Sequence, residues 1–189
     1  MNKLELPNLT RWRAGEQPDE EMFNDLQDSY EFLLDPPTVK VHKTASQNVN
    51  SGSFTSVTWN EAVEDNCKPF GVSYATAMWD PASNNKLVCR VPGWYEIQYT
   101  TAWDTTTDDA RRMTLFDVND GPETLWQRGR RDTWHLNDYT VTTQHYPVFL
   151  NVDDYVKMWV LHDKGSATNL VVTTEYGRRT QLKLKWVSL

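Results

Sequence analysis

The 189-residue chain carries 19 Lys+Arg against 26 Asp+Glu, a formal net charge of -7, and nine Trp, eight Tyr and six Phe. That length suits one ordinary domain with an appendage, and no run approaches the roughly 18 apolar residues of a membrane-spanning helix. The mean hydropathy of -0.68 is low, but so many aromatics exclude a disordered chain and concentrate the burial in a few large side chains.

The charge is uneven. Residues 1–37 hold three basic groups and nine acids, a net of -6, leaving 16 basic and 17 acidic groups in the remaining 152 residues. An acidic leader therefore precedes a nearly neutral domain, and neither part attracts nucleic acid or an anionic membrane surface. No basic stretch followed by an apolar one marks a secretory signal. Pro7 and Asn8 keep the start extended. Pro18 suits a first helical turn, and Asp19, Glu20 and Glu21 favour the positive end of a helix dipole. Met22, Phe23, Leu26, Tyr30, Leu33 and Leu34 then recur at spacings of three and four, which predicts a helix over about 18–34 with one apolar face. Asp35 before Pro36-Pro37 ends it. A helix of about four turns is marginal alone and must dock on its own domain, on sister copies or on a partner. Its terminal place and distinct composition favour the intermolecular options.

From Thr38 the pattern becomes strand-like. Val39, Val41 and Lys43 alternate with polar neighbours, and Asn48–Gly52 reads as a turn cluster before Phe54, Val57 and Trp59. Leu87, Cys89 and Val91 share a face, Pro92-Gly93 turns the chain, and Trp94, Glu96, Gln98 and Thr100 oppose Tyr95, Ile97, Tyr99 and Thr101. Further strands are expected around Met113–Val118, Val141–Leu150, Tyr155–His162, Leu170–Thr174 and Leu182–Val187. Many short strands with no second helical pattern predict a mainly β protein, an antiparallel sandwich or jelly roll.

The stretch MWDPASNNKLVCRVPGWYEIQ, residues 78–98, resembles the central signature of the complement component 1q and tumour necrosis factor superfamily of jelly rolls. There a Tyr/Trp-Asp near a short loop precedes an F-x-V-P-x-x-G-x-Y-x-F strand–turn–strand, matched here by Leu87, Cys89, Val91, Pro92, Gly93, Tyr95 and Ile97. SGSFTSVTWN (51–60), LNVDDYVKMWV (150–160) and the closing strand 182–189 follow in the superfamily's order, so the resemblance covers about residues 38–189. Two departures stand out: Asp153 where the superfamily usually has Gly, and Trp in place of Phe or Tyr at several core positions. The resemblance implies a homotrimer with aromatic sheet faces around a three-fold axis, which would also account for the excess of Trp.

The leader RWRAGEQPDEEMFNDLQDSYEFLLDPP resembles the first segment of many tailed-phage virion proteins, especially from phages of actinobacteria, through Trp12, Gly15, Asn24, Phe32, Leu33, Pro36 and Pro37. It implies virion anchoring by residues 1–37 through Trp12, Met22, Phe23, Leu26, Tyr30, Leu33 and Leu34, with residues 38–189 as a trimeric outer domain. The partners implied are other virion structural proteins, and the place is a virion assembled in host cytoplasm.

No enzymatic signature appears: G-x-S-x-G, H-E-x-x-H and a Gly-rich phosphate loop are all missing. His42, His135, His145 and His162 are scattered and lack ligand spacing, so no catalytic group, cofactor or metal site is assigned. Asp104, Asp108 and Asp109 are calcium candidates because clustered carboxylates suit a hard cation, against a solvated loop countered by Arg111 and Arg112. Trp126, Arg128, Arg130, Arg131 and Trp134 interleave bases with aromatics, a pattern able to contact a host cell-surface glycan, against an exposed Arg loop with two packed Trp. Cys67 and Cys89 would stay reduced in a cytoplasm, although a disulfide is not readable from sequence. The sequence thus leads to a non-enzymatic phage virion protein, a tail-associated trimer for host attachment. The alternatives are a capsid head fibre or decoration protein, and a secreted trimeric ligand.

Overall fold

Alternation along three strands builds the centre of the protein. In the computed structural model, which describes residues 20–67, 77–103, 110–120, 131–135, 141–170 and 179–188, Tyr95, Ile97 and Tyr99 are fully buried on one face of the strand Gly93–Ala102. Leu182 and Leu184 do the same on Gln181–Ser188, joined by the nearly buried Trp186, and Val156, Met158 and Val160 on Tyr155–His162. The first two faces lie side by side on one sheet and oppose the third across the core, and all join Val39, Val41, Trp59, Leu87, Phe116 and Trp103 in one cluster. A period of two with apolar residues on a single face can only be satisfied by a second layer.

In chain order the elements are α1 (Glu20–Leu34), β1 (Thr38–His42), β2 (Gln47–Val49), β3 (Thr55–Ser56), β4 (Glu61–Asp65), β5 (Leu87–Val88), β6 (Gly93–Ala102), β7 (Ala110–Val118), β8 (Arg131–His135), β9 (Val141–Leu150), β10 (Tyr155–His162), β11 (Thr168–Leu170) and β12 (Gln181–Ser188). Among the described residues the first sheet runs β4-β1-β12-β6-β9 and the second β3-β10-β7-β8 with β5 beside β10, while β11 pairs with β2. Each pairing is antiparallel, and almost every neighbour is distant in sequence. That is the jelly-roll sandwich expected from the pattern.

Three strands lie where none was expected from the sequence. Asn48 and Val49 fell in the predicted turn cluster Asn48–Gly52 but belong to β2, because Gln47 stitches the segment inward: its amide donates to Ser56 O at 2.7 Å and its carbonyl oxygen accepts from Thr58 N at 3.0 Å. The polar β4 is an edge strand, and a strand needing no buried face leaves no periodic signal. Arg131–His135 belongs to β8 on the edge of the second sheet, not to a loop, with its register set by β7 from Ala110↔His135 to Thr114↔Arg131. Cys67 and Cys89 are free and buried, and burial pushes their thiols up to about 12 and about 11.

The alternation of Val39, Val41 and Lys43 is correct even though its third member is charged. Lys43 is only 1% exposed. Its ammonium donates to Thr58 O at 2.8 Å and Gln47 Oε1 at 3.2 Å, and desolvation lowers its pKa from 10.5 to about 8. The native state therefore binds this proton less tightly than the unfolded chain, so stability contributed by this group rises with pH between about 8 and 10.5. Urea unfolding of the wild type minus that of Lys43→Met should gain about 3 kcal/mol across that window. The raised thiols act in the opposite direction above pH 9 but are common to both proteins and cancel. A flat difference would mean that Lys43 is solvated.

Candidate binding surfaces

The two sheets differ on their outward faces. On β7, Met113, Leu115 and Asp117 point away from the core, opposite Leu161, Trp159 and Lys157 of β10, yet each is at most 1% exposed. The second sheet is thus covered there within the chain. The first sheet is not. Trp94, at the start of β6, is 45% exposed and lies opposite Phe149 of β9, also 45% exposed. Their rings meet edge to face with centroids 5.8 Å apart. Val187, in a register shift between Trp186 and Ser188, is 58% exposed beside them. Further along the same face the residues become polar: Glu96 pairs with His145 at 2.9 Å and Lys183 with Glu64 at 3.3 Å, and Lys185 is exposed. Large aromatics left in water beside a rim of ion pairs form a patch of the kind that partners cover.

The helix leaves from the same end of the sandwich. Asn66 holds the chain after α1: its Nδ2 donates to Asp35 Oδ1 and to Pro36 O at 3.1 Å, and its Oδ1 accepts from Thr38 N at 2.6 Å. Trp186 N donates to Pro37 O at 2.8 Å. The Phe32 ring meets Trp186 edge to face at 4.9 Å and packs on the core. The last turn of the helix is therefore docked on its own domain. Phe23, Leu26, Tyr30 and Leu34 are all more than half exposed, so most of the predicted apolar stripe is presented outward. Met22 and Leu33 lie on the helix with side chains outside the described residues, and Trp12 lies wholly outside them.

A third feature lies between the segment before β6 and the β9–β10 turn. Asp80, Ser83, Lys86, Arg90, Asp153 and Tyr155, with Val88 at the base, line a cavity of about 310 Å³. Asp153 has φ 69, a left-handed conformation that Gly adopts freely and Asp tolerates. This explains how an Asp can stand where the jelly rolls that the sequence resembles usually have Gly. The substitution supplies a carboxylate that accepts from Arg90 Nη1 at 3.2 Å.

Of the other residues singled out in the sequence, Asp104, Asp108, Asp109, Trp126, Arg128 and Arg130 lie outside the described residues, and Arg131 and Trp134 are placed on β8 without further detail. The structure brings together instead Trp94, Phe149 and Val187, and the cavity residues. The first group carried a sequence signal, since an aromatic on the polar face of an otherwise alternating strand is out of place. The second is spread over more than 70 residues, and its one trace in the sequence was Asp153.

No protein-family model matches the chain, and no curated protein does. Solved structures do. Murine APRIL is similar over 80% of this chain and 98% of its own, with a TM-score of 0.52 at 12% identity. The Eiger TNF of S. frugiperda is similar over 81% and 94%, with a TM-score of 0.50 at 10% identity. The globular domain of zebrafish complement 1qA aligns over 80% and 97%, at 0.48 and 13%. At such identity the likeness to APRIL and Eiger establishes the fold, a tumour-necrosis-factor-like jelly roll.

Proposed function

We propose that this jelly roll is a non-enzymatic homotrimeric binding module, joined through its N-terminal segment to other virion proteins and displayed toward a host surface. The observation that carries the reading is the pair of exposed apolar surfaces at one end of the sandwich: the Trp94, Phe149 and Val187 row and the helix stripe. A cyclic trimer closing on the first sheet buries the row in three equivalent interfaces and leaves the helices leaving from one end. The helix segment from Glu20 to Asp35 has six acids and no base, which suits a groove with apolar walls and basic rims better than two sister helices of the same charge. The leader's resemblance to phage virion proteins supplies the virion assignment, and tail placement follows from the use of such folds for adhesion. Three copies on one axis turn weak single contacts into firm attachment. A secreted trimeric ligand is the second reading, and its support is the fold shared with a TNF.

The test separates the two surfaces. By light scattering the full chain is expected at about three times the 22.0 kDa chain mass. Leu26→Lys combined with Tyr30→Lys changes only exposed helix positions. That variant is expected to remain folded and trimeric while losing incorporation into particles. A monomeric wild type would refute the trimer, and full incorporation of the variant would refute helix anchoring.

A further inference from the structure

We infer that the cavity formed by Asp80, Ser83, Lys86, Arg90, Asp153 and Tyr155 is a binding site for a neutral sugar ring. The proposal extends the attachment reading by naming a ligand class, and it is tested on the isolated protein so that either can fail without the other.

The groups around the cavity are held in place and still have hydrogen-bonding capacity to spare. Asp80 Oδ1 accepts from Ala82 N at 2.8 Å, which orients the carboxylate and leaves Oδ2 available. Arg90 is fixed by Nε donating to Ala77 O at 3.1 Å and Nη1 donating to Asp153 Oδ1 at 3.2 Å, so its second terminal nitrogen and the other Asp153 oxygen remain. Tyr155 donates through its hydroxyl to Asp120 Oδ2 at 2.9 Å, and Lys157 binds the same oxygen at 2.7 Å. Lys86 Nζ sits 5.0 Å from the centre of the Tyr155 ring, with no carboxylate in ion-pair range among the described residues. Polar groups whose positions are already fixed lose little on binding, so their remaining valences are a ready recognition surface.

The charge pattern selects the ligand. Two cations, Lys86 and Arg90, face two carboxylates, Asp80 and Asp153, and the four sum to zero. A phosphate or sulfate placed against the cations would stand beside both carboxylates, and a metal ion placed against the carboxylates would stand beside both cations. A zwitterion needs its poles on separate walls, whereas here Arg90 and Asp153 are paired with each other. Hydroxyl groups have neither difficulty, since each can donate to a carboxylate and accept from an ammonium, guanidinium or Ser83 hydroxyl. Val88 adds apolar surface for the C–H face of a sugar, and the Tyr155 ring, with the ammoniums of Lys86 and Lys157 over it at 5.0 and 5.4 Å, offers its edge. A cavity of about 310 Å³ lies at the small end of ligand pockets, the size of one ring or two rather than a long chain. The left-handed backbone at Asp153 fits this use, because a Gly there would remove one carboxylate and leave Arg90 without its ion pair.

Saturation-transfer NMR on the full chain tests the assignment, with glucose, galactose, mannose, rhamnose and N-acetylglucosamine as neutral probes. Glucuronate, glucose 6-phosphate and phosphocholine serve as charged ones. At least one neutral sugar is expected to bind, and Asp80→Ala and Lys86→Ala should each weaken it by about tenfold, the loss of one or two hydrogen bonds. Lys185→Ala, on the outward face of the first sheet, should leave it unchanged. Asp80→Asn and Lys86→Gln repeat the test if either alanine variant unfolds. Silence from every neutral sugar, binding by charged probes alone, or binding that ignores both substitutions would overturn the site.

Discussion

Replacing Gly93 with alanine is expected to lower the melting temperature by about 10–15 °C, at roughly 2–4 °C per kcal/mol for a chain of this size. Gly93 has φ +147, a conformation that L side chains rarely adopt. A Cβ there would fall on Trp186 Nε1 and lie 2.5 Å from Ser188 O. The indole cannot simply move aside. It donates to Pro92 O at 3.2 Å and carries Phe32 of the helix on its edge. The costs accumulate: about 1–3 kcal/mol for the strained backbone, a similar amount for overpacking, and about 1 kcal/mol for the indole hydrogen bond. Together they consume much of the 5–15 kcal/mol that a domain typically has. Displacing Trp186 also removes the surface on which Phe32 docks, so amide exchange across Glu20–Leu34 should quicken with the loss of stability. Gly165→Ala is the control. It too has a positive φ, +85, but nothing lies within 4 Å of its added Cβ, so only the backbone strain remains. Equal melting shifts in the two variants would show that the Trp186 contact contributes nothing.

The same glycine shows how far the sequence can be read. Pro92-Gly93 announced a turn, and Tyr95 and Ile97 announced an inward face, and both are present. What the pattern could not contain is the reason for the glycine, because Trp186 arrives from a strand more than 90 residues later. The long strands β6, β10 and β12 were legible because each has an uninterrupted period of two with one buried face. β2 was not, because its inward anchor is the amide of Gln47 rather than an apolar side chain. Lys43 followed the apolar pattern in position while breaking it in chemistry, and the oxygens of Thr58 and Gln47 make its burial tolerable. The candidate sites divide in the same way. The helix stripe is local and periodic, so it was visible; its docking residue Phe32 was visible only as part of the leader's resemblance. The cavity depends on Arg90 meeting Asp153 across 63 residues, and its sequence trace is a single aspartate where the superfamily has glycine. The fold was legible even at about 12% identity to APRIL, because jelly-roll pairing is set by alternation and turns rather than by particular side chains.

Trp94→Lys combined with Phe149→Lys is expected to convert the proposed trimer to monomer without unfolding it. Both side chains are nearly half exposed in the isolated chain, so their removal opens no cavity between the sheets, where Tyr95 and Val148 point instead. In a cyclic trimer each substitution is present in every interface. Losing a buried aromatic anchor costs about 2 kcal/mol or more per interface, hence about 6 kcal/mol over three, which weakens assembly by roughly four orders of magnitude. Introducing lysines adds like-charge repulsion across the axis, since Lys40 and Lys185 already share the outward face of β1 and β12, whereas Lys183 there is neutralised by Glu64. The direction of the charge matters to the argument. Glutamates at the same two positions would meet those lysines favourably and should disrupt assembly less, whereas a fault in folding would not depend on sign. Light scattering at a concentration where the wild type is trimeric, together with circular dichroism in the near ultraviolet, distinguishes the outcomes. A folded double-lysine variant that stays trimeric would place the interface away from this face, and equal disruption by lysine and glutamate would remove the electrostatic part of the account.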